Sequence, residues 1–397
     1  TPEIFTNEEQ EAAGETDEEL SVFSSEEVPE FNDAPDEAMA AAENAQNGVI
    51  DLANNNNVPS GVYTITLAGD YKFTCSNNES TENRIVVNGD TISEQDNINI
   101  YLDNVNINTP AGPALQIKGT VKAAVTIHLT GTNNLITKNN YYAGLQKDNK
   151  AQLIIKTNDS DATAGILNAR SIDGDGAGIG GGYYGSGSCS NIIIDSCSVI
   201  ASSKYGAGIG GSKQRAGSNI TINSSSVTAS STDGAGIGGG LYGAGSGSDI
   251  TINSSSVTAS STNGAGIGGG EGNSCENITI NSSSVTASST NGAGIGGGKG
   301  GAGSNNITIN GGSVKASSVS GSPTNEGKEV YCCTIENPEN ANVTIKTGTG
   351  SSVWNWKPVN HSSLDPDDTN LYVWLPKLEG NSTNSYLITL NPKNSSE

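Results

Sequence analysis

A seven-residue glycine phrase recurs five times in the middle of this chain of 397 residues. The copies start at Gly176, Gly206, Gly234, Gly264 and Gly292 and read GAGIGGG, except for the second, which reads GAGIGGS. Each copy is followed by a polar insert, then by a segment of the type NITIN and another of the type SVTASS. A repeat of this kind is typical of a chain that stacks one structural unit on the next.

The segments between the glycine phrases alternate apolar and polar residues, which is the pattern of a half-buried β-strand. Ile220 and Ile222 flank Thr221, and Val227 and Ala229 flank a second threonine. One coil cannot bury three narrow apolar stripes alone, whereas stacked coils can. The sequence therefore predicts an all-β fold, a right-handed parallel β-helix. It is a solenoid with three strands per coil, 28–30 residues per coil and terminal β caps.

Equivalent positions of successive coils are expected to form vertical columns. Isoleucines should line the interior, and asparagines should stack at one corner, where their amides can hydrogen bond to one another and to the turn backbone. The predicted columns are Ile220, Ile250, Ile278 and Ile307, and Asn223, Asn253, Asn281 and Asn310.

Composition changes along the chain predict four segments. Residues 1–50 contain 15 Asp or Glu and no Lys or Arg, against a net charge of −23 for the whole chain. We therefore predict a disordered acidic tail over 1–47, N-terminal capping strands over 48–96 and the parallel β-helix over 97–320. Residues 321–397 are predicted to form a C-terminal antiparallel β capping unit. Caps are expected because an open terminal coil is an unpaired sheet edge.

Charge and hydropathy argue against two classes of partner. Nucleic-acid binding requires clustered Lys and Arg, but the chain has 19 of them against 42 Asp and Glu. No apolar run approaches the roughly 20 residues of a membrane-spanning helix, so no transmembrane segment is predicted. The cysteines follow no metal-binding or disulfide spacing, and we expect isolated thiols, with a Cys189–Cys197 disulfide as the alternative. They are Cys75, Cys189, Cys197, Cys275, Cys332 and Cys333.

The run NINIYLDNVNI from Asn97, followed by PALQIKG, VTIHLTGTNNLI and the glycine coils, resembles the repeat-rich β-helix surface proteins of Gram-positive anaerobes, especially clostridial gut bacteria. The opening TPEIFTNEEQ and the closing segments EVYCCTIENPENANVTI and LYVWLP are similar to the ends of those proteins. The coils also resemble the clostridial carbohydrate-binding β-helix family, in which calcium lies between coils and the ligand is plant polysaccharide. These resemblances imply a secreted or cell-surface protein that needs no cofactor, with calcium as a candidate metal.

The inserts differ between coils while the rest of each coil barely changes, and they carry most of the aromatic and charged residues of the region. Variable loops along one edge of a rigid solenoid form binding surfaces in many repeat proteins. Tolerated loop tips are the alternative interpretation. The predicted ligand-binding residues of this edge are Tyr183, Tyr184, Lys213, Arg215, Tyr242, Glu271 and Lys299.

Two smaller candidate sites lie elsewhere. Asp173 and Asp175 are two positions apart, so both carboxylates can face one side and bind calcium together with backbone oxygens, or simply decorate a turn. Trp354, Trp356 and Trp374 can form an aromatic platform for sugar rings or seal the last coil.

We predict a non-catalytic extracellular or cell-surface protein that binds carbohydrate or a host surface, as adhesins do. The first alternative is a polysaccharide lyase or glycoside hydrolase acting on pectin-like glycans, since such enzymes share this architecture. Asp175 and Asp233 are equivalent, but they are two coils, or about 10 Å, apart, beyond the roughly 5–9.5 Å of a catalytic carboxylate pair. The second alternative is an ice- or surface-structuring solenoid, suggested by outward threonines such as Thr221 and Thr251.

Overall fold

A computed structural model describes a set of strands joined by short connections, with almost no helix. The helical segment within the described residues is a single 3-10 turn at Ser76–Asn78. The acidic tail predicted over 1–47 lies outside the described part of the chain. The described residues are 48–183, 189–243, 247–337, 341–347, 369–378 and 385–391.

The strands wind into a solenoid with three faces. On face 1, each strand pairs in parallel with the equivalent strand of the next coil. Its strands are β1 (Val49–Asp51), β3 (Gly69–Thr74), β5 (Asn97–Asp103), β8 (Ala124–Thr130), β11 (Leu153–Thr157), β14 (Cys189–Asp195), β17 (Gly217–Asn223), β20 (Gly247–Asn253) and the first parts of β23 (Cys275–Ser289) and β25 (Asn305–Ala316).

Faces 2 and 3 are built in the same way. Face 2 contains β6 (Asn106–Thr109), β9 (Thr132–Thr137), β12 (Ile166–Ser171), β15 (Ser198–Ser202), β18 (Ser226–Ser231), β21 (Ser256–Ser261) and the second parts of β23 and β25. Face 3 contains β2 (Val62–Ile65), β4 (Arg84–Val87), β7 (Leu115–Ile117), β10 (Leu145–Lys147), β13 (Ile179–Gly180), β16 (Ile209–Gly210), β19 (Ile237–Gly238), β22 (Ile267–Gly268) and β24 (Ile295–Gly296).

The predicted fold class is confirmed, because the interior columns form in register. Ile220 pairs with Ile250, Ile250 with Ile278, and Ile278 with Ile307, and these side chains are 0–1% exposed. Burial of one isoleucine side chain contributes about 1.5–3 kcal/mol, so every coil adds a similar increment. The right-handed winding stays a prediction, which rests on the strong preference of parallel crossover connections for that hand.

The glycine phrase makes a tight return on face 3. Within the second copy, Ala207 donates its N–H to the carbonyl of Gly211, at 2.8 Å. The third glycine of the phrase, which is its fifth residue, has a positive φ, and a Cβ on Gly238 would lie 2.0 Å from the carbonyl oxygen of Gly268 in the next coil. Only glycine fits this place. The equivalent φ values are 138° at Gly180, 132° at Gly210, 133° at Gly238, 139° at Gly268 and 131° at Gly296.

The corner between faces 1 and 2 is held by side-chain ladders. Asn253 donates to Asn223 at 2.9 Å and Asn281 donates to Asn253 at 2.8 Å, which confirms the predicted amide ladder. A second ladder of buried serines lies beside it, since Ser255 Oγ accepts the N–H of Ser225 at 3.2 Å. Side chains thus satisfy backbone groups at the bend where the strands are interrupted.

The parallel stack begins earlier than the sequence predicts. β1 pairs with β3, β3 with β5 and β2 with β4, all in parallel. Residues 48–96 therefore form the first coils, and the predicted boundary at residue 97 lies inside the solenoid. Large side chains such as Tyr71 and Phe73 fill these coils at 0–1% exposure, so their sequence does not resemble the glycine coils.

One coil is much longer than the predicted 28–30 residues. Thr157 Oγ1 donates to the Ser196 carbonyl at 2.5 Å across 39 positions, and the connection at 158–165 accounts for part of the additional length. The later coils repeat every 28 to 30 positions.

The C-terminal strands leave the parallel pattern. β29 (Asn370–Pro376) contacts the last coil, where Trp374 Nε1 donates to the carbonyl of Val314 at 2.9 Å and the Tyr372 N–H donates to Ser313 Oγ at 3.0 Å. These contacts cover part of the end of the solenoid. The antiparallel pairs are β26 (Thr324–Asn325) with β27 (Lys328–Glu336), β27 with β29 (Asn370–Pro376), and β28 (Asn342–Thr347) with β30 (Tyr386–Asn391).

Candidate functional site

The first residue of each insert is anchored to the previous coil. Its backbone N–H donates to a backbone carbonyl one coil earlier. The accepting residue comes just before the glycine phrase of that coil or, in the coil that has no glycine phrase, at the equivalent position. The donor residues, the acceptor residues and the described remainder of each insert together form a surface that we call the insert edge. The hydrogen bonds run from Tyr183 to Tyr141 (2.8 Å), Lys213 to Asp175 (2.8 Å), Leu241 to Tyr205 (2.9 Å), Glu271 to Asp233 (2.9 Å) and Lys299 to Asn263 (2.8 Å).

Four tyrosines on four successive coils lie along the insert edge, and we call them the tyrosine row. They are Tyr141, Tyr183, Tyr205 and Tyr242. Tyr141 is 44% exposed and Tyr242 is 59% exposed, while the two between them are half-buried. The ring centroids of Tyr141 and Tyr183 are 6.1 Å apart, with 30° between the ring planes. Exposed aromatic rings in a row offer apolar faces and polar hydroxyls to a ligand.

Two lysines lie among these rings. Lys213 Nζ is 5.6 Å from the ring centroid of Tyr183 and 5.2 Å from that of Tyr205, and it forms a 3.2 Å ion pair with Asp175. Lys204 Nζ is 4.9 Å from the ring centroid of Tyr205. A side-chain hydrogen bond with Tyr205 raises the pKa of Lys204. Such cation–π contacts are favourable, and Lys213 links the rings of Tyr183 and Tyr205 on neighbouring coils.

The other described residues predicted for this edge lie in the same insert as Lys213 or further along the edge. Arg215 is exposed in the insert that also carries Lys213. Glu271 and Lys299 pair with each other at 3.5 Å. Tyr242 donates its N–H to the carbonyl of Glu271 at 3.1 Å, which joins this ion pair to the tyrosine row. Tyr184 lies outside the described residues.

The sequence prediction missed three members of the cluster, Tyr141, Tyr205 and Lys204. They come before the glycine phrase or its equivalent, whereas the prediction considered only the residues after it. These residues can be found from the sequence when each insert is aligned with the residues of the preceding coil and not with those of its own coil.

The tryptophan platform is only partly within the described chain. Trp354 and Trp356 lie outside it. Trp374 is half-buried against the solenoid core, and its indole N–H is used by Val314. Its observed contacts are those of a side chain that covers the last coil.

The candidate calcium residues have different surroundings. Asp175 is paired with Lys213, whereas Asp173 is exposed and has a φ of 53°. Within the described ranges, no three His, Cys, Asp or Glu side chains are grouped to hold a metal ion.

A buried polar cluster lies next to the tyrosine row, and the sequence did not predict it. Lys147 and Asp148 are 1% and 7% exposed. Lys147 Nζ donates to the carbonyls of Asn149 (2.8 Å) and Ser190 (2.6 Å), and Asp148 accepts the Gly182 N–H at 3.3 Å. Burial raises the pKa of Asp148 and lowers that of Lys147. The cluster contacts both ends of the insert that contains Tyr183.

Two further surfaces have regular side chains. A groove of about 390 Å³ follows the corner between faces 1 and 2 and is lined mainly by serines, among them Ser224, Ser254 and Ser284. On the outer side of face 1, Thr221 pairs with Thr251 and so continues a threonine column. All six cysteines lie within the described residues, where they form no disulfide, and four of them are buried.

Comparison with known proteins supports the repeat architecture. Four stretches match a family model described as a beta helix repeat, at residues 220–241, 250–271, 278–299 and 307–322. No curated protein and no solved structure matches the chain. In the part of the chain that the structure describes, no helix has the length and apolar character needed to cross a membrane. The matched repeats agree with the stacked coils, so the chain is a parallel β-solenoid that contains beta helix repeats.

Proposed function

We propose that this chain is a non-catalytic extracellular protein that binds carbohydrate through the tyrosine row. The observation that supports the proposal is the placement of one tyrosine on each of four successive coils, on an edge that remains accessible at Tyr141 and Tyr242. Sugar rings have apolar C–H faces, which pack on aromatic rings as other flat apolar surfaces do. Asp175 and Lys213 lie between the rings and offer hydrogen-bonding groups to sugar hydroxyls.

The secreted or cell-surface location and the adhesin-like role are part of the same proposal. Their support is the sequence resemblance to surface proteins of Gram-positive gut anaerobes. The local charge is also compatible with neutral or acidic glycans, because residues 97–218 contain ten Lys or Arg and seven Asp or Glu. The strong negative charge of the chain lies mainly outside this stretch.

The proposal predicts that the double variant Tyr141→Ala and Tyr242→Ala loses carbohydrate binding. Truncation of aromatic anchors typically costs 1 kcal/mol or more each, so affinity should fall by at least about tenfold. The measurement is an array of plant polysaccharides and mucin glycans, followed by calorimetry on the glycans that the unaltered protein binds. Both arms are run in calcium and in EDTA, which tests the candidate metal separately.

The matched control is Tyr331→Ala, which removes a ring of similar exposure (47%) from the C-terminal unit. The melting temperature of all variants is measured alongside. Equal binding by the double variant, the control and the unaltered protein would refute the assignment of the site. Absence of binding to the whole array would refute the carbohydrate function.

A further inference from the structure

The tyrosine row is long and follows the solenoid axis. Parallel strands of successive coils are about 4.8 Å apart, so Tyr141 and Tyr242, three coils apart, are separated by about 14 Å along the axis. The rows of backbone hydrogen bonds from Tyr183 to Tyr141 and from Leu241 to Tyr205 keep this spacing regular. A single sugar is about the size of one phenol ring and can therefore occupy only one position of the row.

The row is open at the end near its first tyrosine. The register of β7 with β10 places Ala111 at the position equivalent to Tyr141, one coil earlier, and Ala111 is exposed. At the other end, the residues that precede the glycine phrases are Asp233 and Asn263, which are smaller than tyrosine. These three side chains leave their column open to a ligand that continues past either end, while the Glu271–Lys299 ion pair lies in the neighbouring column of insert residues.

The polar groups are repeated along the row as well. The Lys213 ammonium group lies between the rings of Tyr183 and Tyr205, and Lys204 lies beside Tyr205. A ligand that uses all four rings therefore meets hydrogen-bonding groups at intermediate positions. A site for a chain end has a different design, in which walls enclose the terminal sugar.

We infer that the tyrosine row binds the interior of a linear polysaccharide, which lies parallel to the solenoid axis with consecutive sugars against the rings of consecutive coils. This inference rests on the proposed carbohydrate function and specifies its ligand as an extended chain. Branched or terminal sugars are not the preferred ligands.

The first test is the dependence of affinity on chain length. Calorimetry is performed with cello-, xylo- and galacturono-oligosaccharides from the disaccharide to the octasaccharide, each with a free and a reduced chain end. Affinity should rise with length until the four rings are covered and then level off, and reduction of the end should have no effect. A disaccharide that binds as tightly as the octasaccharide, or a strict need for one chain end, overturns the inference. Absence of binding to all three series overturns the proposed function as well.

The second test removes whole coils. Deletion of 219–248 removes the coil that carries Tyr242, and deletion of 249–276 removes the next coil and keeps all four rings. Both deletions restore the strand register, because Gly217 and Gly247 are equivalent, as are Gly247 and Cys275. Solenoids tolerate the loss of an internal repeat, and circular dichroism checks that each variant folds.

The first deletion should weaken binding of the octasaccharide by about tenfold, and the second should leave it unchanged. Equal effects of the two deletions overturn the inference. If the first deletion does not fold, Tyr242→Ala replaces it and should produce the same loss for long chains but little change for the disaccharide. A loss of the same size for the disaccharide would also overturn the inference.

Discussion

At the scale of single residues, the turn between faces 1 and 2 depends on two adjacent serines with different roles: one adopts a left-handed backbone and the other hydrogen bonds to the backbone of the turn. Ser254 has a φ of 48°, in the left-handed region that non-glycine residues seldom occupy. Ser255 follows it and points inward, where its Oγ accepts the Ser225 N–H at 3.2 Å and lies 2.7 Å from the Asn253 carbonyl, to which it donates. The strained residue is thus followed by one that satisfies the backbone of the turn.

We therefore predict that Ser255→Ala lowers the free energy of unfolding by about 1–3 kcal/mol, because a buried N–H loses its acceptor. Ser260→Ala is the matched control, since Ser260 is only half-buried on the same coil. Urea denaturation of both variants measures the difference. If the two substitutions cost the same, the buried serine ladder does not stabilise the turn.

The sequence predicts some of these residue roles and not others. The asparagine ladder is predictable, because one asparagine recurs at the same place in each period. The serine ladder is not, because Ser254, Ser255 and Ser256 are adjacent and identical, and the period does not say which of them turns inward. Which serine turns inward depends on the left-handed backbone at Ser254, and a serine at that position does not predict such a backbone.

At the scale of elements, the longest coil is held in place by a buried lysine. Lys147 continues an interior column in which Ile117 occupies the preceding coil. The next coil has Gly181 at this position by the register of β10 with β13, so there is space for the ammonium group above. Lys147 uses this space to reach the carbonyl of Ser190 at the far end of the insert.

Lys147→Met should therefore destabilise the chain by about 1–3 kcal/mol, since the carbonyls of Asn149 and Ser190 lose their donor. It should also weaken glycan binding, because the insert that begins with Tyr183 loses one of its anchors. Lys122→Met is the control, as Lys122 is an exposed lysine on a neighbouring coil. Unfolding in urea and calorimetry with the best array ligand measure the two effects. An unchanged affinity would show that Lys147 does not position the insert.

The elements themselves were largely predictable, with two instructive exceptions. Alternation gives the strands of the repeated coils, since most inward positions are apolar and most outward positions are polar, with Ile193 and Ile200 as outward exceptions. The coils before β5 were not predicted as part of the solenoid, because aromatic residues such as Tyr71 and Phe73 replace the small interior residues there. The length of the long coil was not predicted, because the connection at 158–165 lies outside the alternating strands.

At the scale of the whole molecule, vertical neighbours explain both the fold and the site. Contacts that stabilise the chain join residues one period apart, as in other solenoids. The tyrosine row arises in the same way, because its members are separated along the chain and meet only through stacking. The stacking was predicted from the sequence, but the tyrosine row was not. The prediction grouped residues of the same insert and did not compare residues of neighbouring coils.

The most direct test of this account is disulfide formation between engineered cysteines on face 1, with Cys332 and Cys333 replaced by serine. Thr221→Cys and Thr251→Cys lie on adjacent paired strands, about 4.8 Å apart, inside the range for a disulfide of about 4.4–6.8 Å between Cα atoms. Thr221→Cys and Thr279→Cys lie two coils, or about 9.6 Å, apart. Mild oxidation should cross-link the first pair and leave the second reduced. A first pair that stays reduced, or two pairs that oxidise equally, would contradict the stacked register.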